Sequence, residues 1–160
     1  MLYMQVMRTR QSSAAAAADV RDIQGCTCLR LRRATRRMTR LYDHALEPAG
    51  ITITQFGVLG HLHYRDGIGM GVLADWIGMD PTTLNRTLKP LLDRGLIHNG
   101  PDPQDRRVRA VSITTSGRAK LLEAVPLWRQ AQGAVEAAVS QPTVLALNGL
   151  LDLSMAKIAA

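Results

Sequence analysis

The sequence predicts a mainly α-helical fold with one small β-hairpin. Apolar residues recur at helical spacing through most of residues 24–158, and capping residues, prolines and glycines separate the apolar segments. Residues 109–114 instead alternate between apolar and polar side chains, which is typical of a strand. The 160 residues, of which 46 % are hydrophobic, are sufficient for one domain with an apolar core.

Two predicted helices precede the central part of the chain. Residues 24–47 form the first, which Pro48 and Gly50 end. We expect Thr52 or Thr54 to cap the second helix, and residues 66–69 to form a turn after it. The apolar positions that support these two helices are Leu31, Ala34, Met38, Leu41, Tyr42, Ala45, Leu46, Phe56, Leu59 and Leu62.

Residues 70–95 predict two short helices joined by a tight turn. The first ends at Gly78, Asp80 and Pro81 are typical of the cap and first residue of the second, and Gly95 ends the second. One side of this second helix is apolar, with Leu84, Leu88, Leu91 and Leu92. The other side is polar, and we expect it to face outward, with Thr82, Thr83, Asn85, Arg86 and Lys89.

An extended pair of segments follows the second short helix. We expect turns at residues 98–103, a tip that contains Asp105 and several arginines, and a strand at residues 109–114. Helix, turn, helix and basic hairpin in this order predict a winged helix-turn-helix at about residues 51–114. A helix-turn-helix places its second helix in the major groove of duplex DNA, so the pattern predicts DNA binding.

Two further helices are predicted at residues 115–139, capped by Thr114, and at residues 143–158. They are longer and more apolar than one winged domain needs. With helix 24–47 they predict a helical layer that joins two copies of the chain, although packing on their own domain alone is the alternative. A homodimer suits a pseudo-palindromic operator, with recognition helices about 34 Å apart.

Positive charge is concentrated in two segments of the chain, whose formal net charge is +7. Residues 21–50 carry seven arginines against three acidic residues, and residues 101–120 carry five basic residues against two. Residues 51–100 are balanced. A basic patch is typical of a surface that binds phosphates. For the helix in residues 21–50, a solvated arginine-rich surface is an equally good interpretation.

The central segment resembles the bacterial multiple-antibiotic-resistance regulator (MarR) family. The resemblance lies in LADWIGMDPTTLNRTLKPLLDRGLI and DRRVRAVSITTSGRAKL, with further similarity in ALEPAGITITQFGVLGHL. The wing signature of the family is Asp-x-Arg and then a strand that ends in Leu/Ile-Thr-x-x-Gly. It matches Asp105, Arg107, Ile113, Thr114 and Gly117. The resemblance implies a homodimeric transcription regulator, usually a repressor that a small ligand or oxidation releases.

The resemblance also implies that Arg107 enters the minor groove of DNA, and a narrow A·T-rich groove attracts arginine electrostatically. We expect Asp105 to support the hairpin, with an ordinary turn residue as the alternative. Arg106 and Arg109 are expected to contact phosphates or solvent.

On the second short helix, Arg86 is suited to guanine and Asn85 to adenine. Thr82, Thr83 and Lys89 are expected to complete the DNA-binding face, although Thr83 is also a candidate for the helix cap. Pro90 predicts a local bend, because it removes one hydrogen bond from the helix.

Members of the family often bind small aromatic or anionic ligands between the helical layer and the winged domain. The residues that we expect to line such a pocket are Thr39, Tyr42, Phe56, His61 and His63. A pocket needs few polar groups, so simple packing is the alternative for each of them.

Cys26 and Cys28 are candidates for a redox switch, because the arginines that follow them favour the thiolate. The alternative is that both are small apolar side chains in the packing. A zinc site formed with His61 and His63 is a weaker alternative, since the spacing matches no known zinc-binding pattern. We therefore expect no metal and no cofactor.

The sequence contains no glycine-rich phosphate loop, nucleophile motif or supported pair of carboxylates, so we expect no enzyme. A non-enzymatic helical protein-interaction module is the remaining alternative. The sequence has no apolar run long enough for a membrane span, and its first residues are a poor signal peptide. We expect residues 1–20 to be disordered, residues 21–160 to form a single unit, and the location to be cytoplasmic.

Overall fold

A computed structural model describes residues 23–101 and 109–158 of the chain. The segment predicted to be disordered, residues 1–20, lies outside the described residues, as does the hairpin tip at residues 102–108. The chain divides into two compact units, at residues 1–38 and 39–160. In the first unit, the described residues form a short 3-10 helix, Ile23–Gly25, and the beginning of helix α1.

The described residues form six α-helices and a three-stranded antiparallel sheet. The helices are α1 (Thr27–Leu46), α2 (Ile53–Tyr64), α3 (Met70–Ile77), α4 (Pro81–Asp93), α5 (Thr115–Val139) and α6 (Gln141–Lys157). A second 3-10 helix, Glu47–Ala49, follows α1. The strands are β1 (Ile68–Gly69), β2 (Ile97–Pro101) and β3 (Arg109–Ile113), in the order β1-β3-β2. This is the mainly helical, winged architecture that the sequence predicts.

Two segments predicted as turns are partly strands. In residues 98–103, the described positions up to Pro101 belong to β2, which pairs with β3 from Ile97 opposite Ile113 to Pro101 opposite Arg109. In residues 66–69, the last two form β1 against β3. Neither segment is rich in residues with high strand propensity. The prediction was wrong here because pairing with β3, a non-local contact, overrides local preference.

Three polar side chains cap the helices at positions that the sequence marks. Thr52, one of two candidates, caps α2 in a reciprocal capping box with Gln55. Asp80 and Thr114 cap α4 and α5, as predicted. The break before α6 lies at Ser140, where φ is 73°, so α6 begins two residues earlier than predicted. It does so because Pro142 is tolerated in a first helical turn.

The core of the second unit lies between α2, α3, α4, α5, the end of α1 and the sheet. Its largest fully buried side chains are Leu46, Leu59, Leu62, Leu73, Leu84, Leu88, Leu91, Ile97, Val58 and Val111. The leucines of α4 are therefore structural, as their spacing predicts. No polar or charged residue among the described residues is fully buried, so apolar packing forms this core.

Thr114 and Gly117 join the end of α4 to the start of α5. The Thr114 hydroxyl donates to the Gly95 carbonyl at 2.7 Å and accepts from the Gly117 amide at 3.0 Å. The Thr114 amide donates to the Leu96 carbonyl at 3.1 Å. A Cβ atom at position 117 would lie 2.0 Å from that same carbonyl oxygen. The contact therefore requires glycine at position 117.

Replacing Gly117 with alanine is expected to lower the free energy of unfolding by about 1–3 kcal/mol, because α5 must move away from Leu96. Gly133→Ala is the matched control on the same helix, since a Cβ there has no atom within 4 Å. We expect this control to keep or slightly raise the stability. Urea denaturation measures both variants, and equal stabilities would contradict the close contact.

Candidate nucleic-acid interface

Helix α4 begins with a cap that uses both carboxylate oxygens of Asp80. One oxygen accepts from the amides of Thr82 and Thr83, at 2.9 and 3.0 Å, and the other accepts from the Thr83 hydroxyl at 2.6 Å. Thr83 thus takes the capping role that the sequence left as its alternative. Its hydroxyl has a partner before any DNA is present.

The bonds from Thr83 hold the pKa of the exposed Asp80 carboxyl below its ordinary value, the hydroxyl having the largest effect and the backbone amide the next. A lowered pKa in the folded state means that the ionised carboxylate stabilises the fold. Its contribution is present at neutral pH and is lost as the pH falls through the lowered pKa. The ionised Asp80 cap therefore stabilises the beginning of α4 at neutral pH.

The two faces of α4 differ sharply in exposure. Leu84, Leu88 and Leu91 are at most 1 % exposed, and Leu92 packs against the core while partly buried. The polar residues that the sequence assigns to DNA are all exposed, namely Thr82, Thr83, Asn85, Arg86 and Lys89. The helix continues through Pro90 to Asp93. The helix therefore packs its leucine face against the core and presents its polar face to solvent.

Lys89 has a partner on its own helix. Its Nζ atom lies 3.0 Å from the Asp93 carboxylate, one turn further on, and both side chains are mostly exposed. Exposed ion pairs of this kind contribute little to stability. The ammonium group can therefore exchange the carboxylate for a phosphate oxygen at low cost.

Arg94 holds the other end of α4. Its guanidinium donates to the Gly50 carbonyl at 2.7 Å, which links the end of α4 to the segment before α2. Gly50 adopts φ 65°, the left-handed conformation that glycine favours. Sequence reasoning missed this contact, because the two residues are 44 positions apart. A cation at the end of a predicted helix was the only available signal.

The hairpin contributes Arg109 to the described surface. This residue is exposed and is the first residue of β3, opposite Pro101 of β2. The other hairpin residues that the sequence assigns to DNA, Asp105, Arg106 and Arg107, lie outside the described residues. Arg109 is therefore the one arginine of the predicted DNA-binding hairpin that lies within the described residues.

The five residues predicted to line a ligand pocket make separate contacts. The Tyr42 hydroxyl donates to Gln132 of α5, and burial, with a smaller effect from Glu136, raises the pKa of Tyr42. The Phe56 ring stacks on Trp128, with centroids 5.9 Å apart. These two side chains tie α1 and α2 to α5, which is the packing role that the sequence left open.

The two histidines of the predicted pocket lie on the surface. The Nδ1 atom of His61 donates to the Gly57 carbonyl at 2.7 Å, whereas His63 contacts Arg118. Thr39 is half-buried. Two surface grooves flank the end of α1, and neither has any of the five predicted residues in its lining. The ligand site therefore stays a prediction.

The candidate redox residues belong to the first unit, where Cys26 is half-buried and Cys28 is exposed. Both are free thiols. Within residues 23–101 and 109–158, no group of three or more His, Cys, Asp or Glu residues is arranged to hold a metal ion. In the same part of the chain, no helix has the length and apolar character that crossing a membrane requires.

The sequence pattern of the MarR family matches residues 51–108 of this chain. A curated relative, the multiple antibiotic resistance protein MarR of Salmonella typhimurium, is 34 % identical over 84 residues. That alignment covers 52 % of this chain and 58 % of the relative, so the chain matches little more than half of the relative's length.

Two solved structures are similar over most of the chain. The transcriptional regulator MosR of M. tuberculosis, crystallised in complex with DNA, is 38 % identical with a TM-score of 0.71. The match covers 82 % of this chain and 95 % of MosR. The transcriptional repressor CouR, bound to a 23-mer DNA duplex, is 26 % identical with a TM-score of 0.73, over 82 % of this chain and 94 % of CouR.

The two structural matches cover more of the chain than the helix-turn-helix alone. The family is one of transcription regulators rather than enzymes, in agreement with the sequence prediction. Together with the capped and outward-facing α4 and the three-stranded wing, they show that the chain belongs to the MarR family of winged helix-turn-helix transcription regulators.

Proposed function

We propose that this chain is a homodimeric repressor that binds a pseudo-palindromic operator in duplex DNA. The observation that carries the proposal is the exposed polar face of α4. Three buried leucines anchor the opposite face of this helix, and Asp80 caps its first turn. The solved structures of MosR in complex with DNA and of CouR, a repressor bound to a DNA duplex, support it.

In this proposal, α4 lies in the major groove and the wing reaches the adjacent minor groove. Arg86 and Asn85 read base edges, because Arg pairs with guanine and Asn with adenine through two hydrogen bonds each. Thr82, Thr83 and Lys89 complete this face, with Thr83 also serving the cap. Arg107 enters the minor groove, Asp105 supports the hairpin, and Arg106 and Arg109 contact phosphates.

The apolar surface of α6 supports the dimer. Val144 is its only fully buried residue among the described ones. Five large apolar side chains of α6, and that of Ile158 directly after it, are between 49 and 79 % exposed. The five are Leu145, Leu147, Leu150, Leu153 and Met155. Large apolar side chains exposed in this number on one helix are typical of a surface that another protein chain covers. A second copy, related by a twofold axis, would cover it.

We propose two forms of release from DNA, which are secondary to DNA binding itself. The first is a small aromatic or anionic ligand near Thr39, Tyr42, Phe56, His61 and His63. The second is oxidation at Cys26 or Cys28, and the exposure of the Cys28 thiol to solvent favours it. Adding aromatic acids or peroxide to a preformed protein–DNA complex separates the two.

Fluorescence anisotropy tests the proposed function. The labelled duplex is the DNA directly upstream of the chain's own gene, and an excess of non-specific duplex competes with it at near-physiological salt. We expect binding that survives the competitor and weakens steeply with salt, because phosphate contacts release counterions. Absence of DNA binding, together with salt-insensitive binding to a protein, would favour the protein-interaction module instead.

Two arginine substitutions test the placement of the DNA surface. We expect Arg86→Ala to weaken operator binding about tenfold and to relax base preference, because one bidentate base contact contributes about 1–3 kcal/mol. Arg107→Ala is expected to weaken binding and to reduce the preference for A·T-rich flanks. Arg129→Ala, an exposed arginine on α5, is the control with the same charge change. If all three variants bind equally well, the surface lies elsewhere.

A charge on α6 tests the dimer. Leu150→Glu places a carboxylate in the exposed apolar surface, where it must be desolvated on pairing, so we expect monomers and a loss of operator affinity. Asn148→Glu puts the same charge on an exposed polar position of α6 and is the control. Sedimentation equilibrium gives the mass of each variant. A Leu150→Glu protein that stays dimeric would place the dimer contact on another surface.

A further inference from the structure

We propose that Asp66 and Arg118 form a clamp that sets the direction of the wing and is needed for full DNA affinity. This inference rests on the proposed function. Arg118 is in the first turn of α5, and its guanidinium reaches two groups at the end of α2. Its Nη2 atom donates to the Asp66 carboxylate at 3.1 Å. Its Nη1 atom lies 3.3 Å from both Nδ1 and the carbonyl oxygen of His63.

The second carboxylate oxygen of Asp66 faces the sheet. It accepts from the Ile113 amide at 3.2 Å and from the Gly67 amide at 3.2 Å. Ile113 is the last residue of β3. The Asp66 side chain therefore joins the end of β3 to the first turn of α5, and Arg118 joins that turn to the end of α2.

The register of the sheet explains why a side chain is needed here. β1 pairs Ile68 with Val111 and Gly69 with Ala110, so the same register would place Asp66 opposite Ile113. Gly67, at φ 69°, turns the backbone out of that register. The Asp66 carboxylate takes the place of the missing backbone carbonyl and satisfies the part-buried Ile113 amide.

Arg118 in turn fixes the orientation of Asp66. Because a guanidinium only donates hydrogen bonds, His63 must accept through Nδ1 and through its carbonyl. The planar fork of arginine can hold the carboxylate and the end of α2 at the same time, which the single ammonium of lysine does less well. Arg118 and Asp66 are thus positioning residues, and neither needs to touch DNA.

The geometry makes the wing sensitive to this clamp. With a rise of about 3.3 Å per residue, Arg109 lies about 13 Å along β3 from Ile113. A rotation of about 10° at Ile113 would move Arg109 by about 2 Å. The ion pair itself is partly exposed, with side chains 37 and 51 % accessible, so its attraction alone adds little to global stability. The larger cost of removing Asp66 is the part-buried Ile113 amide, which loses its acceptor.

The test is a double-mutant cycle measured by operator anisotropy. We expect Asp66→Ala to weaken DNA binding about tenfold, both in the wild-type protein and in the Arg86→Ala variant. In the Arg107→Ala variant the same substitution should weaken binding less than twofold, because Asp66 acts through the wing. Asp66→Asn keeps an acceptor for the Ile113 amide and should restore part of the affinity. Glu123→Ala is the control of equal charge change, since its partner Lys120 is on the same helix.

Equal losses in the Arg86→Ala and Arg107→Ala backgrounds would overturn the clamp, as would full affinity of Asp66→Ala. Amide hydrogen exchange provides a readout that does not depend on DNA. Asp66→Ala should speed exchange at residues 109–113 at least tenfold, more than any accompanying fall in global stability accounts for. If the wild-type protein does not bind duplex DNA, the proposed function fails, and unchanged exchange at residues 109–113 would overturn the clamp separately.

Discussion

The close approach of the Leu96 carbonyl to Gly117 is the constraint on which the DNA-binding arrangement depends. Leu96 lies between the end of α4 and the start of β2, and Gly117 lies in the first turn of α5. Thr114 closes the same junction with hydrogen bonds to Gly95, Leu96 and Gly117. This contact thus holds the end of α4, the start of β2 and the first turn of α5 together.

This junction gives the Thr-x-x-Gly part of the wing signature a physical reason. Thr114 is required because it caps α5 and also donates to a carbonyl of the preceding turn. Gly117 is required because any Cβ would overlap the Leu96 carbonyl. Both act by holding α4 and the sheet, while the exposed side chains of α4 and the wing remain available for binding.

The features that could be predicted from the sequence are local ones. Asp80, Thr114 and one of two threonines before α2 were recognised as caps, because a cap involves residues two or three positions apart. The leucine spacing of α4 predicted its buried face correctly for the same reason. These local signals were sufficient for the order of the elements and for the exposed face of the recognition helix.

The features that could not be predicted depend on distant partners. Strands β1 and β2 have weak strand propensity and exist through pairing with β3. Arg94 and Arg118 bind groups 44 and 52 residues away, and no sequence spacing indicates such contacts. The residues predicted to line a pocket lie on the first two helices, as the sequence indicates. Only the fold shows that Tyr42 and Phe56 each contact α5.

Selection from a random duplex library tests the central claim, that two copies of α4 read DNA as a symmetric pair. The full-length protein is incubated with the library at near-physiological salt, and the bound duplexes are sequenced. The account predicts enrichment of an inverted repeat whose half-sites are centred about 10 base pairs, or one helical turn, apart. Enrichment of a single unrepeated site, or of no sequence at all, would contradict it.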